Sequence, residues 1–185
     1  GDPVPPARDL TPLPHVRAMI YDVPKTTPGE IIVGLNDRRP DLHDVYRLDL
    51  ATAGKKLLWK NDQNVAGWMT DLKGELRMGI RQTPDGGTEL LRVVANTLVP
   101  FYTVTADEYV TPQRFTPEGN TFYLETNKGT ELDKSELQLC DIRTGVVTPV
   151  EKDPANEVDF GSALFSEVSD ELLATFYTGD RQRVY

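Results

Sequence analysis

The amino-acid sequence predicts an all-β protein that is built from repeated groups of short strands. Two observations lead to this prediction. Apolar and polar residues alternate in short runs such as residues 45–50, which is the period of a half-buried strand. Turn-forming residues separate the runs, as at 84–87 and 117–120. Residues 167–176 offer the best helical pattern, but their apolar positions also suit a turn followed by a strand.

A repeat of about 45 residues groups the strands into larger units. Strand-like segments that start with valine begin at Val16, Val65, Val110 and Val158, with spacings of 49, 45 and 48 residues. A second shared pattern, an Asp-Leu or Asp-Ile pair followed by Thr and Gly, occurs at 49–54 and again 92 residues later. A repeat of this length with four strands per unit is typical of β-propeller blades.

The strands can be assigned blade by blade. In the first blade we predict strands near residues 16–21, 30–36, 44–50 and 55–60. The second blade has strands near 65–71, 75–82, 89–95 and 99–104. The third has strands near 110–115, 121–126, 136–142 and 146–151. The fourth supplies only two strands, near 158–165 and 171–177.

The predicted organisation is therefore a Pro-rich lead-in over residues 1–15 and a partial propeller over 16–185. The blades lie near residues 16–62, 63–107, 108–154 and, in part, 155–185. About three and a half four-stranded antiparallel blades do not close a ring, since closed propellers have four to eight blades. We therefore expect truncation of a larger ring, and self-association of the isolated chain through its exposed edges.

Composition excludes several classes of function. The formal net charge of −9 and the pI of about 4.7 disfavour nucleic-acid binding, because polyphosphate would be repelled. No apolar run approaches the ~20 residues that cross a bilayer. Cys140 is the only cysteine, so it cannot form an internal disulfide or a thiolate cluster, and its strand context predicts a buried side chain. We expect a soluble protein without a cofactor, in the cytoplasm or the periplasm.

Two longer motifs resemble known propellers. Residues 115–127, Phe-Thr-Pro-Glu-Gly-Asn-Thr-Phe-Tyr-Leu-Glu-Thr-Asn, are similar to the hairpin of TolB-like and peptidase propellers. Residues 36–52 resemble the first blades of the N-terminal propeller of prolyl oligopeptidase family serine peptidases, which include dipeptidyl and acylaminoacyl peptidases. That similarity continues through 64–68 and 81–89, and so spans most of the chain.

The resemblance implies a non-catalytic role for this chain. In that family the propeller covers an α/β-hydrolase domain, filters substrates by size and helps to orient the peptide, while the catalytic Ser, Asp and His lie on the hydrolase. This sequence has no Gly-x-Ser-x-Gly nucleophile elbow, and its two histidines, His15 and His43, lie in the lead-in and in a connection. We therefore predict no catalytic residue here, and a peptide substrate that is bound together with an absent hydrolase domain.

Two other functions stay open. One is a TolB-like protein-binding module without enzymatic activity, which would form a complete ring with no hydrolase attached. The other is a propeller hydrolase that uses its own acidic residues. No Asp or Glu is marked by its sequence context as such an acid, so this alternative has the least support.

One polar segment is the candidate site for contact with a substrate or a partner domain. Its residues are Asn36, Asp37, Arg38, Arg39, His43 and Asp44. In a flexible connection the two arginines could grip a carboxylate bidentately. The alternative, which the pattern favours, is a solvated loop with internal Asp–Arg pairs. The spacing of the histidine and its acidic neighbours matches no defined ligand geometry, so we predict no metal site.

The remaining charged and aromatic positions have structural interpretations. The acidic stretches at 107–108 and 151–159 lie at predicted blade junctions, where charge keeps a turn soluble. Trp59 and Trp68 flank the first junction, and large aromatic side chains at such positions usually pack between blades. We therefore expect both indoles in the core.

Overall fold

The computed structural model describes residues 6–129 and 134–185, which form four antiparallel sheets in chain order. The first sheet consists of β1 (Ala18–Asp22), β2 (Glu30–Arg39), β3 (Leu42–Asp49) and β4 (Lys55–Trp59). The second consists of β5 (Gly67–Thr70), β6 (Leu76–Gln82), β7 (Thr88–Val94) and β8 (Thr97–Val104). The third consists of β9 (Val110–Phe115), β10 (Thr121–Thr126), β11 (Glu136–Asp141) and β12 (Val147–Glu151). The fourth consists of β13 (Phe160–Phe165), β14 (Leu172–Thr178) and β15 (Gln182–Val184).

The sheets have the topology of propeller blades, which confirms the predicted fold class. Each strand pairs with its neighbour in sequence, and the four sheets do not close into a ring. One detail of the prediction is wrong, because the fourth sheet has a third strand, Gln182–Val184, paired with β14. Three residues with a single apolar side chain carry too little alternation to be recognised as a strand. Residues 167–176 form a turn and a strand, as expected, and not a helix.

The hairpin of residues 115–121 shows why the motif there folds as it does. Thr116 accepts a hydrogen bond at its carbonyl from the backbone N–H of Gly119, at 2.9 Å. Gly119 has φ +71°, a conformation that side chains with a Cβ rarely adopt. The turn therefore depends on glycine at this position, and it brings β9 and β10 into register, with Phe115 opposite Phe122.

The main core lies between the second and third sheets. Ten buried side chains form it: Met78, Leu90, Tyr102, Val104, Val110, Phe115, Phe122, Leu124, Cys140 and Ile142. The ring of Phe122 lies 5.5 Å from that of Phe115 and 6.0 Å from that of Phe101, between centroids. Cys140 is fully buried, as predicted, and burial raises the pKa of its thiol to about 12.

A second core joins the first sheet to the second. Ile32 and Val45 of the first sheet pack with Trp68 and Leu91 of the second. The indole of Trp59 lies against that of Trp68, with ring centroids 5.8 Å apart. Both tryptophans therefore pack at the first junction, as their positions in the sequence predicted.

The outer faces of the two terminal sheets are covered to different extents. Leu10 of the lead-in and Val16, which follows it, pack on the far face of the first sheet, over Leu35 and Leu48, which are buried. The lead-in therefore contacts the first sheet through Leu10, and its residues 1–5 lie outside the described residues. On the far face of the fourth sheet, Leu164 and Val184 are about half exposed.

Truncation of Phe122 tests the core between the second and third sheets. Phe122→Ala removes a fully buried ring, and we expect it to lower the free energy of unfolding by about 3–5 kcal/mol. Chemical denaturation followed by circular dichroism measures the change. Val168→Ala is the control, since Val168 is 95% exposed and its loss should change stability by less than about 0.5 kcal/mol. Equal effects of the two substitutions would contradict this packing.

Candidate functional site

The predicted polar loop is a β-hairpin. Residues 36–39 belong to β2 and residues 42–44 to β3, so only Pro40 and Asp41 connect the strands. The pairing register shifts between Leu35 and Arg39, where Arg39 lies opposite Leu42. The sequence did not predict these strand ends, because their residues are mostly polar and do not alternate with apolar residues.

Arg38 is bound by groups of its own chain. Its Nε and Nη2 donate to the two carboxylate oxygens of Asp44, at 2.7 and 2.8 Å. Its Nη2 also donates to the carbonyl of Asn61, and its Nη1 lies 2.9 Å from the Asp62 carboxylate. The bidentate grip expected of an arginine in this segment is therefore present, but the carboxylate that it holds is internal.

Asp44 is the buried centre of this network, with 3% of its side chain exposed. Burial by itself would raise the pKa of the carboxyl group, but hydrogen bonds from Arg38 and from the backbone N–H of Asn61 outweigh it and lower the pKa. The Asn61 side chain in turn donates to the carbonyl of Val65 at 2.8 Å. The hairpin tip is thereby joined to the connection between the first and second sheets.

The other candidate residues also contact their own chain. Arg39 forms an ion pair with Asp41 at 2.5 Å, and Asp37 accepts hydrogen bonds from Tyr46 and Lys55. Asn36 accepts a hydrogen bond from the backbone N–H of Arg17 at 2.6 Å.

His43 differs, because its Nε2 is buried and has no hydrogen-bond partner among the described residues. Its pKa is lowered, first by burial and second by the charge of Arg17, so the ring is neutral. These contacts match the alternative of internal Asp–Arg pairs, and a partner contact at this hairpin stays a prediction.

A second site, which the sequence did not reveal, lies where the first strands of the sheets converge. This channel pocket has a volume of about 550 Å³. Its lining comes from all four sheets: Ile20–Thr26, Trp68–Leu72, Gln113–Phe115 and Asp170. Apolar side chains in the lining include Ile20, Met69 and the largely buried Trp68 and Phe115, and the charged ones are Asp22, Lys25, Asp71, Arg114 and Asp170. Such a combination is typical of ligand pockets.

Two cations meet one carboxylate in the channel pocket. Lys25, between β1 and β2, donates to Oδ1 of Asp170 at 3.0 Å. Arg114 of β9 donates to the same oxygen through Nη2. Asp170 precedes β14, so this cluster joins the first, third and fourth sheets. The hydrogen bond from Lys25 lowers the pKa of the Asp170 carboxyl group, outweighing its partial burial, and the carboxylate is therefore ionised at neutral pH.

Two donors of the channel pocket are buried without an acceptor. The Nε of Arg114 and the Nε1 of Trp68 have no hydrogen-bond partner among the described residues. The guanidinium lies over the Phe165 ring, 5.3 Å from its centroid. Asp22 is satisfied differently, since its carboxylate accepts a 2.6 Å hydrogen bond from Thr70. Within residues 6–129 and 134–185, no group of three or more His, Cys, Asp or Glu side chains is placed to hold a metal ion.

The sequence did not predict this cluster, because its three residues are far apart in the chain. Lys25 and Asp170 are separated by 145 positions, and Arg114 and Asp170 by 56. The repeat could nevertheless have predicted that these residues lie close together. All three residues lie at the end of a blade's first strand or in the turn that follows it, and such positions meet at one end of the central channel.

The fold and the channel pocket define a partial β-propeller whose first strands surround a polar and apolar cavity. The structure of TolB from Acinetobacter baumannii is similar, with a TM-score of 0.55 over 84% of this chain and 37% of that chain, at 14% identity. This likeness supports the propeller fold. No protein-family model matches the chain.

The chain is similar in sequence to dipeptidyl aminopeptidase BIII from Pseudoxanthomonas mexicana. The two are 35% identical over 174 residues, which are 91% of this chain. The chain spans about a quarter (24%) of the length of that relative. The resemblance to the propeller of prolyl oligopeptidase family peptidases is thereby confirmed. The described part of the chain contains no helix long and apolar enough to span a bilayer.

Replacement of Asp44 tests the hairpin network. Asp44→Asn removes a carboxylate that accepts two hydrogen bonds from Arg38, and we expect the free energy of unfolding to fall by about 2 kcal/mol at pH 7. Because the pKa of Asp44 is lowered in the folded state, its contribution is complete above the unfolded pKa of about 4 and is lost as the pH falls through the folded value. Urea denaturation from pH 7 to pH 2 should therefore show the two proteins converging in acid.

The control for this substitution is Asp41→Asn, in the turn of the same hairpin. Asp41 has 59% of its side chain exposed, so we expect its replacement to change stability by less than about 0.5 kcal/mol. A constant difference between wild type and Asp44→Asn down to pH 2 would show that the carboxylate does not supply the stability.

Proposed function

We propose that this chain is the gating and substrate-orienting part of a serine peptidase whose hydrolase domain lies outside these 185 residues. The observation that carries the proposal is the 35% identity to dipeptidyl aminopeptidase BIII across 91% of the chain. The sequence itself contains no nucleophile elbow, which is consistent with catalysis on another domain.

The geometry of the channel pocket supports a gate. Lys25 reaches from the first sheet to the fourth and contacts the turn before β14 at three acceptors: the carbonyl and the carboxylate of Glu167, and Asp170. This bridge lies across one end of the space between the first strands.

The first test of the proposal uses the gene. We expect the coding sequence that surrounds these residues to encode further blades and a domain with a Gly-x-Ser-x-Gly elbow. A complete ring with no hydrolase attached would contradict the proposal and favour a TolB-like binding module.

The second test weakens the bridge in the complete protein. Lys25→Glu replaces attraction to Glu167 and Asp170 by repulsion, so the gate should open more readily. We expect hydrolysis of peptides of ten or more residues to rise several-fold relative to hydrolysis of a chromogenic dipeptide amide. Lys56→Glu is the matched control, because Lys56 lies on the exposed surface of β4. An unchanged ratio for Lys25→Glu would argue against gating at this end.

Self-association is the expected behaviour of the isolated 185-residue chain. Within the described residues no sheet covers the far face of the fourth sheet, where Leu164 and Val184 are about half exposed, and a second copy can bury these side chains. Sedimentation velocity should show a concentration-dependent dimer, and Leu164→Lys should shift it toward the monomer. Lys substitution of Val168, which is exposed in a turn, is the control. A strictly monomeric wild type would contradict this proposal.

A further inference from the structure

The Arg114–Asp170 pair leaves part of a binding fork unused. A guanidinium offers Nε and Nη2 as two parallel donors, the arrangement that holds a carboxylate bidentately. Asp170 accepts from the Nη2 of Arg114 but not from its Nε, which has no hydrogen-bond partner among the described residues. Arg38 shows the complete form in the same chain, since its Nε and Nη2 both donate to Asp44.

The position of Arg114 is fixed by packing rather than by Asp170 alone. Its guanidinium lies over the ring of Phe165, and 22% of its side chain is exposed. The opposite cation, Lys25, approaches the same carboxylate oxygen of Asp170. One carboxylate oxygen of Asp170 thus accepts hydrogen bonds from two cations, which lie on two sides of the channel pocket.

The segment that carries Asp170 lies at the surface. It is a turn between β13 and β14, and Val168 within it is 95% exposed. Glu167 of the same turn has 80% of its side chain exposed, so its pairing with Lys25 contributes little. Displacement of this turn would free Arg114 and Lys25 together, because both donate to Asp170.

We propose that the channel pocket binds the carboxylate of a peptide, which takes the place of Asp170 between Lys25 and Arg114. The Arg114 fork holds both oxygens of the ligand, and Lys25 contacts one of them. The apolar lining at Ile20 and Met69 receives the adjoining aliphatic side chain. This inference rests on the proposed function, and names the chemical group by which a peptide would be held.

The proposal is tested by titrating the 185-residue chain with small probes. N-acetyl-leucine carries a terminal carboxylate, and N-acetyl-leucinamide is the same molecule without that charge. N-acetyl-glutamic acid α-amide places the carboxylate on a side chain, and inorganic phosphate reports any general anion site. The indole Nε1–H signal of Trp68, which lines the channel pocket, is followed by two-dimensional proton–nitrogen NMR, and Trp59→Phe assigns it.

We expect N-acetyl-leucine to shift the Trp68 signal with millimolar affinity, and the amide to bind at least about tenfold more weakly. Tighter binding of the glutamate probe would identify an acidic side chain as the natural group. Tighter binding of N-acetyl-leucine would identify a peptide C-terminus, and either result supports the proposal. Equal binding of the acid and amide forms, or phosphate binding as tight as either acid, would overturn it.

Three variants separate ligand binding from a structural role. Lys25→Gln and Arg114→Gln should each weaken N-acetyl-leucine binding about tenfold. Asp170→Asn should strengthen it several-fold, because it removes the internal competitor, whereas a purely structural ion cluster would give weaker or unchanged binding. Lys56→Gln is the control and should leave the affinity unchanged. Circular dichroism establishes whether each variant is folded. If Arg114→Gln does not fold, the binding measured for Lys25→Gln decides the result.

The assay needs no hydrolase, so its outcome is independent of the proposed peptidase. If the chain binds no carboxylate but a hydrolase domain is encoded beside these blades, the carboxylate site is refuted and the proposed peptidase function is not. If the chain binds a carboxylate but no hydrolase domain is encoded beside it, the proposed peptidase function is refuted, and the chain is a peptide-binding propeller.

Discussion

Burial of one sheet face by the next is the interaction on which the rest of this structure depends. A four-stranded sheet has two faces, and hydrogen bonding within the sheet satisfies the backbone but covers neither face. The side chains of Phe115 and Phe122 on the third sheet are fully buried only because Met78 and Tyr102 of the second lie against them. The channel pocket exists for the same reason, since sheets packed face to face bring their first strands together.

The two ends of the arc show what happens where a neighbouring sheet is lacking. Leu10 of the lead-in and the adjoining Val16 partly cover the first sheet, although Ile20 and Leu57 on that face remain exposed. The fourth sheet has no comparable cover within the described residues, and Leu164 and Val184 face outward. Leu10, in the predicted Pro-rich lead-in, therefore has a structural role in covering the first sheet.

The repeat predicted the fold well because it depends on local signals. The strands that begin with valine and the hairpin turns that need glycine, such as the turn at Gly119, form through contacts between residues a few positions apart. The short β15 was missed because it depends on pairing with β14, and a three-residue segment has almost no pattern of its own. The hairpin of residues 36–44 was mistaken for a loop, since its strands are polar; Arg38 and Asp44 are satisfied by each other and by Asn61.

The two arginine sites explain why the candidate functional residues could not be predicted from composition. Arg38 and Arg114 each face an aspartate, and their local sequences do not show which partner each one meets, because Asp44 lies near Arg38 in the chain whereas Asp170 lies 56 positions from Arg114. Arg38 meets a carboxylate that is buried, accepts from both arms of the fork and also binds a backbone N–H, so the network is closed. Arg114 meets a carboxylate on a surface turn and uses one arm only. The difference between a structural ion pair and a candidate binding site therefore lies in how completely the partner satisfies the fork. That depends on the packing of sheets that are distant in sequence.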